Sequence, residues 1–122
     1  ALIRVIAAVH EDISDLTVGI LIRDRLGNDI FGTNSWHHGQ SLRSIQGGSR
    51  VQAEFAIPSL NLGIGNYSLT VALHANDTHV SNNFDWWDRA LVFQVTPSEL
   101  PRCIGSTYLT TAVTLAPSLT NP

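Results

Sequence analysis

Two runs in this chain alternate apolar and polar residues so strictly that they leave little choice of fold. The first is Gly65-Asn66-Tyr67-Ser68-Leu69-Thr70-Val71-Ala72-Leu73-His74, and the second is Asn83-Phe84-Asp85-Trp86-Trp87-Asp88-Arg89-Ala90-Leu91-Val92-Phe93-Gln94-Val95. Side chains on a strand point to opposite faces with period two. Tyr67, Leu69, Val71 and Leu73 therefore share one face of the first run, and Trp87, Leu91, Phe93 and Val95 one face of the second. Each run predicts a half-buried strand with a core side and a polar side.

The same periodicity recurs. Leu2 to His10 reads as a strand rich in Ile, Val and Ala, followed by a polar turn over Glu11 to Asp15. Leu16, Val18, Ile20 and Ile22 line one face of a second strand, Leu16 to Asp24, with Thr17, Gly19, Leu21 and Arg23 on the other. Arg25-Leu26-Gly27-Asn28 is a hairpin-type connection into a third strand, Asp29 to Trp36. His37 to Gly48 reads as a loop. Val51, Ala53, Phe55 and Ile57 point inward from a strand over Ser49 to Ile57, which Pro58 ends. Asn76 to Asn83 reads as a polar loop, and Ile104 to Leu115 as a last strand or two short ones.

About seven strands at regular spacing, with no amphipathic helix, predict an all-β fold, an immunoglobulin-like antiparallel β-sandwich. The expected division is a sandwich core over 1–96, a hinge over 97–102 bracketed by Pro97 and Pro101, C-terminal strands over 103–116 that complete this sandwich or a partner's, and a tail over 117–122. Tyr67, just after Gly65-Asn66 at a strand start, is placed to act as a corner tyrosine.

Composition narrows the function classes. The 122 residues fit one domain, and no apolar run approaches the ~18 residues of a membrane span. The net charge is −3, with seven Arg and no Lys. An acidic chain without a basic cluster in its sequence is poorly suited to nucleic acid. The single Cys103 excludes an internal disulfide and a Cys-rich zinc site, and fits a reducing compartment. The start at Ala1 reads as that of a fragment cut from a longer protein, without a signal peptide. Asn66-Tyr67-Ser68 and Asn76-Asp77-Thr78 match the glycosylation sequon, which matters only in a secreted eukaryotic protein.

The polar faces carry the candidate chemistry. Trp86 points away from Trp87, and an exposed indole can stack on the apolar C–H face of a pyranose while polar neighbours bind its hydroxyls. Its alternative is cover by the 76–83 loop or by a partner subunit. Trp36, beside His37-His38-Gly39, is a second rim candidate. Arg23, Ser68, Thr70, His74 and Gln94 offer donors and acceptors at strand spacing; the alternative is an ordinary solvated sheet face. The five histidines have no metal-binding spacing, and no cofactor is expected. Asp85 and Asp88 flank the Trp pair on opposite faces of a regular strand. That disfavours paired-carboxylate hydrolysis, and Asp88 with Arg89 reads as a surface charge pair or loop anchor. There is no Gly-x-Ser-x-Gly elbow and no phosphate-binding loop.

Leu16 to Asp24, Gly27-Asn28-Asp29-Ile30-Phe31-Gly32, Phe55-Ala56-Ile57-Pro58, Leu62 to His74, and Asp85-Trp86-Trp87-Asp88 running into Phe93-Gln94-Val95 together resemble one family over about residues 2 to 96. It is the C-terminal domain of the ATP-binding subunit (Wzt type) of bacterial ABC transporters that export O-antigen polysaccharide. The resemblance implies a non-catalytic β-sandwich, appended to an ATP-binding domain, that recognises the finished non-reducing end of the polysaccharide. It also implies a homodimer, a transmembrane permease as partner, and a location at the cytoplasmic face of the inner membrane. The 97–101 hinge suits exchange of the C-terminal strand between protomers. A purely structural dimerisation module and a glycan-active hydrolase are the alternative readings. Trp86, His74, Thr70, Ser68, Gln94, Arg23 and Trp36 are the candidate carbohydrate-binding residues, chosen by strand parity and not by the family's motif.

Overall fold

A computed structural model describes residues 1–77, 80–97 and 102–118, with the backbone alone for 76, 77 and 80–84. Seven strands run in the order β1 (Leu2–Ala8), β2 (Ile13–Asp24), β3 (Asp29–Asn34), β4 (Leu42–Ile45), β5 (Arg50–Ala56), β6 (Gly65–Asp77) and β7 (Val80–Val95). They form two antiparallel sheets. One is the pair β1–β5; the other has the order β3-β2-β6-β7, with β4 also paired to β2.

The alternation read from the sequence sets the core. Ile20, Ile22, Tyr67, Leu69 and Val71 form one buried cluster, and Val9, Leu16, Val18 and Val51 a second. Phe55 packs against both, so the two clusters meet under β5. Tyr67 is the corner tyrosine: its hydroxyl donates to the Gly63 carbonyl at 2.8 Å, and its ring stacks on Phe93 with centroids 5.5 Å apart. Burial, then the charges of Asp24 and Cys103, push its phenol above the ordinary value.

Three expected loops and ends differ. The 37–48 stretch contains a short 3-10 turn (Trp36–His38) and then β4. Strand β3 pairs with residues 19–23 of β2 and β4 with residues 13–16, in the same direction, so β4 continues the line of β3 after an excursion. Ser35 closes the gap: its N–H donates to the Val18 carbonyl at 2.8 Å, and its hydroxyl accepts the Val18 N–H at 3.1 Å. A chain with these side-chain acceptors can leave and rejoin a ladder without losing its hydrogen bonds. Where it is described, the expected 76–83 loop is instead paired strand: Ala75 faces Asn83 and Asp77 faces Val80, and residues 78 and 79 lie outside the described residues. A polar run can be a paired strand as well as a loop, and composition does not distinguish the two.

The C-terminal segment is the third difference. Residues 102–118 form no strand of their own. They hold the sandwich through one bridge, Leu62 to Thr107, with Gly63 N–H donating to the Ser106 carbonyl and Tyr108 N–H to that of Asn61. Ile104, Leu109, Val113 and Leu115 stand in solvent. The proposed hinge falls largely at 98–101 and the end of the tail at 119–122, outside the described residues.

Trp87 corrects the sequence reading. It faces Val71 on the inner side, as parity requires, yet is 64% exposed, and Leu91 on the same side is 53% exposed. Strand β7 is the edge of the larger sheet, and the opposing sheet has only two strands. Phe93 and Val95 reach the core; among the described residues nothing covers Trp87.

Candidate functional site

The outer face of the larger sheet is built from the odd residues of β2 and the even residues of β6, as their inner counterparts fill the core. The register sets Thr17 against His74, Gly19 against Ala72, Leu21 against Thr70 and Arg23 against Ser68. On the far side of β6, Trp86 stands against Ala72 and Gln94 against Asn66. Parity thus carries all the β-sheet candidates to one face.

A wide bulge interrupts that face. Leu91 faces Leu69 and Trp87 faces Val71, so Asp88, Arg89 and Ala90 together stand opposite Thr70. The surplus is two residues, an even number, so Trp86 keeps the side that a regular strand would give it; a surplus of one would have turned it inward. Arg89 takes a left-handed backbone, φ 50°, a conformation that costs a non-glycine residue roughly 1–2 kcal/mol.

The bulge places Asp88 over the middle of the sheet. Its Oδ1 accepts from Thr70 Oγ1 at 3.3 Å and lies 3.5 Å from Arg23 Nη1. Arg23 Nε also donates to Asp29 at 3.0 Å. The Asp29 hydrogen bond, with smaller contributions from both carboxylates, raises the guanidinium above its already high value, so Arg23 stays charged. Asp88 is therefore a partner of Arg23 rather than of Arg89, as the sequence had suggested.

This ridge of Arg23, Asp88 and Thr70 divides the face into two clefts. The first, about 230 Å³, has Gly19 and Ala72 in its floor and Thr17, Asn34, His74 and Trp86 around it. Trp86 is 55% exposed. The second, about 660 Å³, is lined by Arg23, Arg25, Asn66, Ser68, Asp88 and Arg89, among others. Gly19 gives the first cleft its depth: an added Cβ would sit 3.4 Å from Asn34 Cβ and 3.7 Å from Ala72 Cβ.

The candidates separate accordingly. Trp86, His74 and Thr70 line the first cleft, and Arg23 and Ser68 the second. Thr70 is only 1% exposed and its hydroxyl is engaged by Asp88, so it is part of the framework and presents little to a ligand. Gln94 is exposed on the same face but lines neither cleft, and Trp36 stands in the 3-10 turn, its ring 6.0 Å from that of His37, also outside both. Sequence reasoning missed Asn34, Thr17, Arg25 and the floor glycine. Thr17 and Gly19 were on the correct face by parity; Asn34 and Arg25 come from a strand end and a turn, where parity carries no information.

Asp85 lines a different cleft on the inner side, with Leu73 and Ala75, so it does not converge with Asp88. Among the described residues no group of three or more His, Cys, Asp or Glu could hold a metal ion. Among them, too, no helix is long and apolar enough to cross a membrane.

No curated protein sequence matches the chain. A solved structure described as the C-terminal domain of Wzt superposes with a TM-score of 0.73 at 24% identity, covering 94% of this chain and 68% of that one. At that identity the likeness establishes the fold. The model of the Wzt C-terminal domain family matches residues 1–110. That span takes in both sheets and both clefts, and this chain belongs to the Wzt C-terminal domain family.

Proposed function

We propose that this domain binds O-antigen polysaccharide, at its modified non-reducing end, on the outer face of the larger sheet, and so confers substrate specificity on an ABC exporter. The observation that carries the reading is the cleft between Trp86 and the Gly19–Ala72 floor. It joins an exposed flat indole to a shallow floor and a rim of Thr17, Asn34 and His74. A pyranose needs that combination: an aromatic for its C–H face and short polar groups for its hydroxyls. Family membership supports the same reading. The domain acts by binding, without catalysis, and the separation of Asp85 from Asp88 argues against the hydrolase alternative.

In the full transporter subunit the domain would accompany an ATP-binding domain, pair with a second copy, and work with a membrane permease at the cytoplasmic face. Exchange of the C-terminal strand is the proposed route to the dimer. Two observations favour it. Leu109, Thr111, Val113 and Leu115 alternate as a strand would but lie exposed, and Trp87 and Leu91 lie uncovered on the inner side of β7.

Titration of the domain with capped and uncapped polysaccharide from its own strain, by NMR or calorimetry, tests the binding reading. Saturable binding of capped polymer only, lost in Trp86→Ala, is the expected result. An intact dimer that binds neither polymer would favour the purely structural dimerisation module instead.

A further inference from the structure

We propose that the second cleft, beyond the Arg23–Asp88 ridge, is a subsite for an anionic group carried on the saccharide, a carboxylate or a phosphate. The inference rests on the polysaccharide-binding reading and adds to it the charge of the ligand.

Three of the chain's seven arginines meet here: Arg23 from β2, Arg25 from the β2–β3 turn and Arg89 from the bulge of β7. Two aspartates, Asp24 and Asp88, share the lining, and Arg23 is paired with Asp29 and Asp88, so the positive charge left to meet a ligand is that of Arg25 and Arg89. The two acids lining the cleft are already engaged. Asp24 accepts the N–H groups of Leu26 and Asn28 and the Asn28 side-chain amide, so it serves the turn. Asp88 holds Arg23 and Thr70. Arg25 and Arg89 are both exposed and have no ion-pair or hydrogen-bond partner among the described residues. Two guanidiniums at a concave surface, beside the Asn66 and Ser68 side chains, present forked donors matched to carboxylate or phosphate oxygens.

The backbone supports this placement. Arg89 occupies a left-handed conformation within the bulge that carries it to the cleft. Such conformations persist where the surrounding structure holds them, and they gather at binding sites. Geometry also links the clefts. From Ala72 to Ser68 is four residues of β6, about 13 Å at strand rise, so one extended saccharide segment spans both. The neutral ring would stack at Trp86 and the charged group would lie beyond the ridge.

The test uses the 122-residue chain, labelled for NMR, titrated with glucose, glucuronate and glucose 6-phosphate, and separately with polysaccharide. The expected result is that one or both charged sugars move the amides of Arg25, Asn66, Ser68 and Arg89, while glucose does not. Response to glucuronate alone assigns a carboxylate, and response to the phosphate alone assigns a phosphate. In Arg25→Gln/Arg89→Gln the charged sugar should lose about tenfold in affinity, equivalent to one charge-assisted hydrogen bond. Added salt should weaken binding to the parent more than to the variant. Equal responses to glucose and the charged sugars, or affinity unchanged in the double variant, would overturn the proposal. If polysaccharide moves the Trp86 indole while both charged sugars leave the arginine cleft still, the anionic subsite alone falls. If Trp86 is silent as well, the binding reading falls with it.

Discussion

Arg23 of β2 and Asp88 of the β7 bulge meet across the intervening strand β6, Nη1 to Oδ1 at 3.5 Å, and Thr70 of β6 donates to the same oxygen from below. Three strands are tied at one point, and that point separates the aromatic cleft from the basic one. In the proposed binding mode the ridge would space the two subsites. Asp88 is exposed and the contact is long, so the pair adds little to stability. Asp88→Ala should leave the melting temperature near that of the parent. It should change the chemical shifts of Arg23 and Thr70 and alter polysaccharide affinity; an affinity identical to the parent's would remove the ridge from the site.

Gly19 sets the depth of the aromatic cleft. In Gly19→Ala the new Cβ meets Asn34 and Ala72 at ordinary contact distances, so the fold should persist with an unchanged circular dichroism spectrum. A floor raised by one methyl group should cost the ligand about 1 kcal/mol or more of binding. Calorimetry decides, and undiminished affinity would move the ligand off this floor.

Tyr67→Phe removes the hydroxyl that the Gly63 carbonyl accepts and leaves that buried carbonyl without this donor. The expected loss is about 1–2 kcal/mol, measured by urea unfolding. The same substitution should alter the response to alkali. Because the folded phenol is raised above its unfolded value, its contribution is complete below about pH 10 and is lost as pH rises through the folded value. Stability that falls equally in parent and variant above that point would exclude Tyr67 as the source.

Asp24 governs the opposite end of the pH range. Its carboxylate is held below the ordinary value, first by the Asn28 side-chain amide, then by the backbone N–H groups of the turn. Its contribution is present above the unfolded value, about pH 4, and is lost as pH falls through the lower folded one. Asp24→Ala should therefore flatten the acid limb of the stability curve, read from melting temperatures across that range. An acid limb as steep as the parent's would count against it.

Ile22, 1% exposed at the centre of the larger cluster, should lose about 2–5 kcal/mol when cut to Ala. Chemical denaturation measures this directly. A loss below 1 kcal/mol would mean that the neighbouring strands collapse into the cavity.

Strand parity was legible in the chain because it is local. Ile20 and Ile22, Leu69 and Val71, and Val51 and Phe55 each announce a buried face within a few residues, and the hairpin turn at Gly27-Asn28 announces itself too. Tyr67 was readable as a corner for the same reason. Parity even placed Trp86 correctly, since the β7 bulge adds an even number of residues.

Burial of Trp87 was not legible. Parity says which side of a sheet a residue faces but not whether an opposing layer extends over it, and here the smaller sheet stops at two strands. Nor does alternation from Leu109 to Leu115 say what that segment pairs with: within this chain it forms no strand, and the Leu62–Thr107 bridge lies upstream of it. The sequence by itself determined the sandwich, its two core faces and the polar face that opposes them. Tertiary structure alone decided that Arg89 lines one cleft with Arg23 and Arg25, that the Thr70 hydroxyl is engaged by Asp88, and that the face divides into two clefts. Those relationships depend on bulges and on register between strands far apart in the chain, and no local periodicity encodes them.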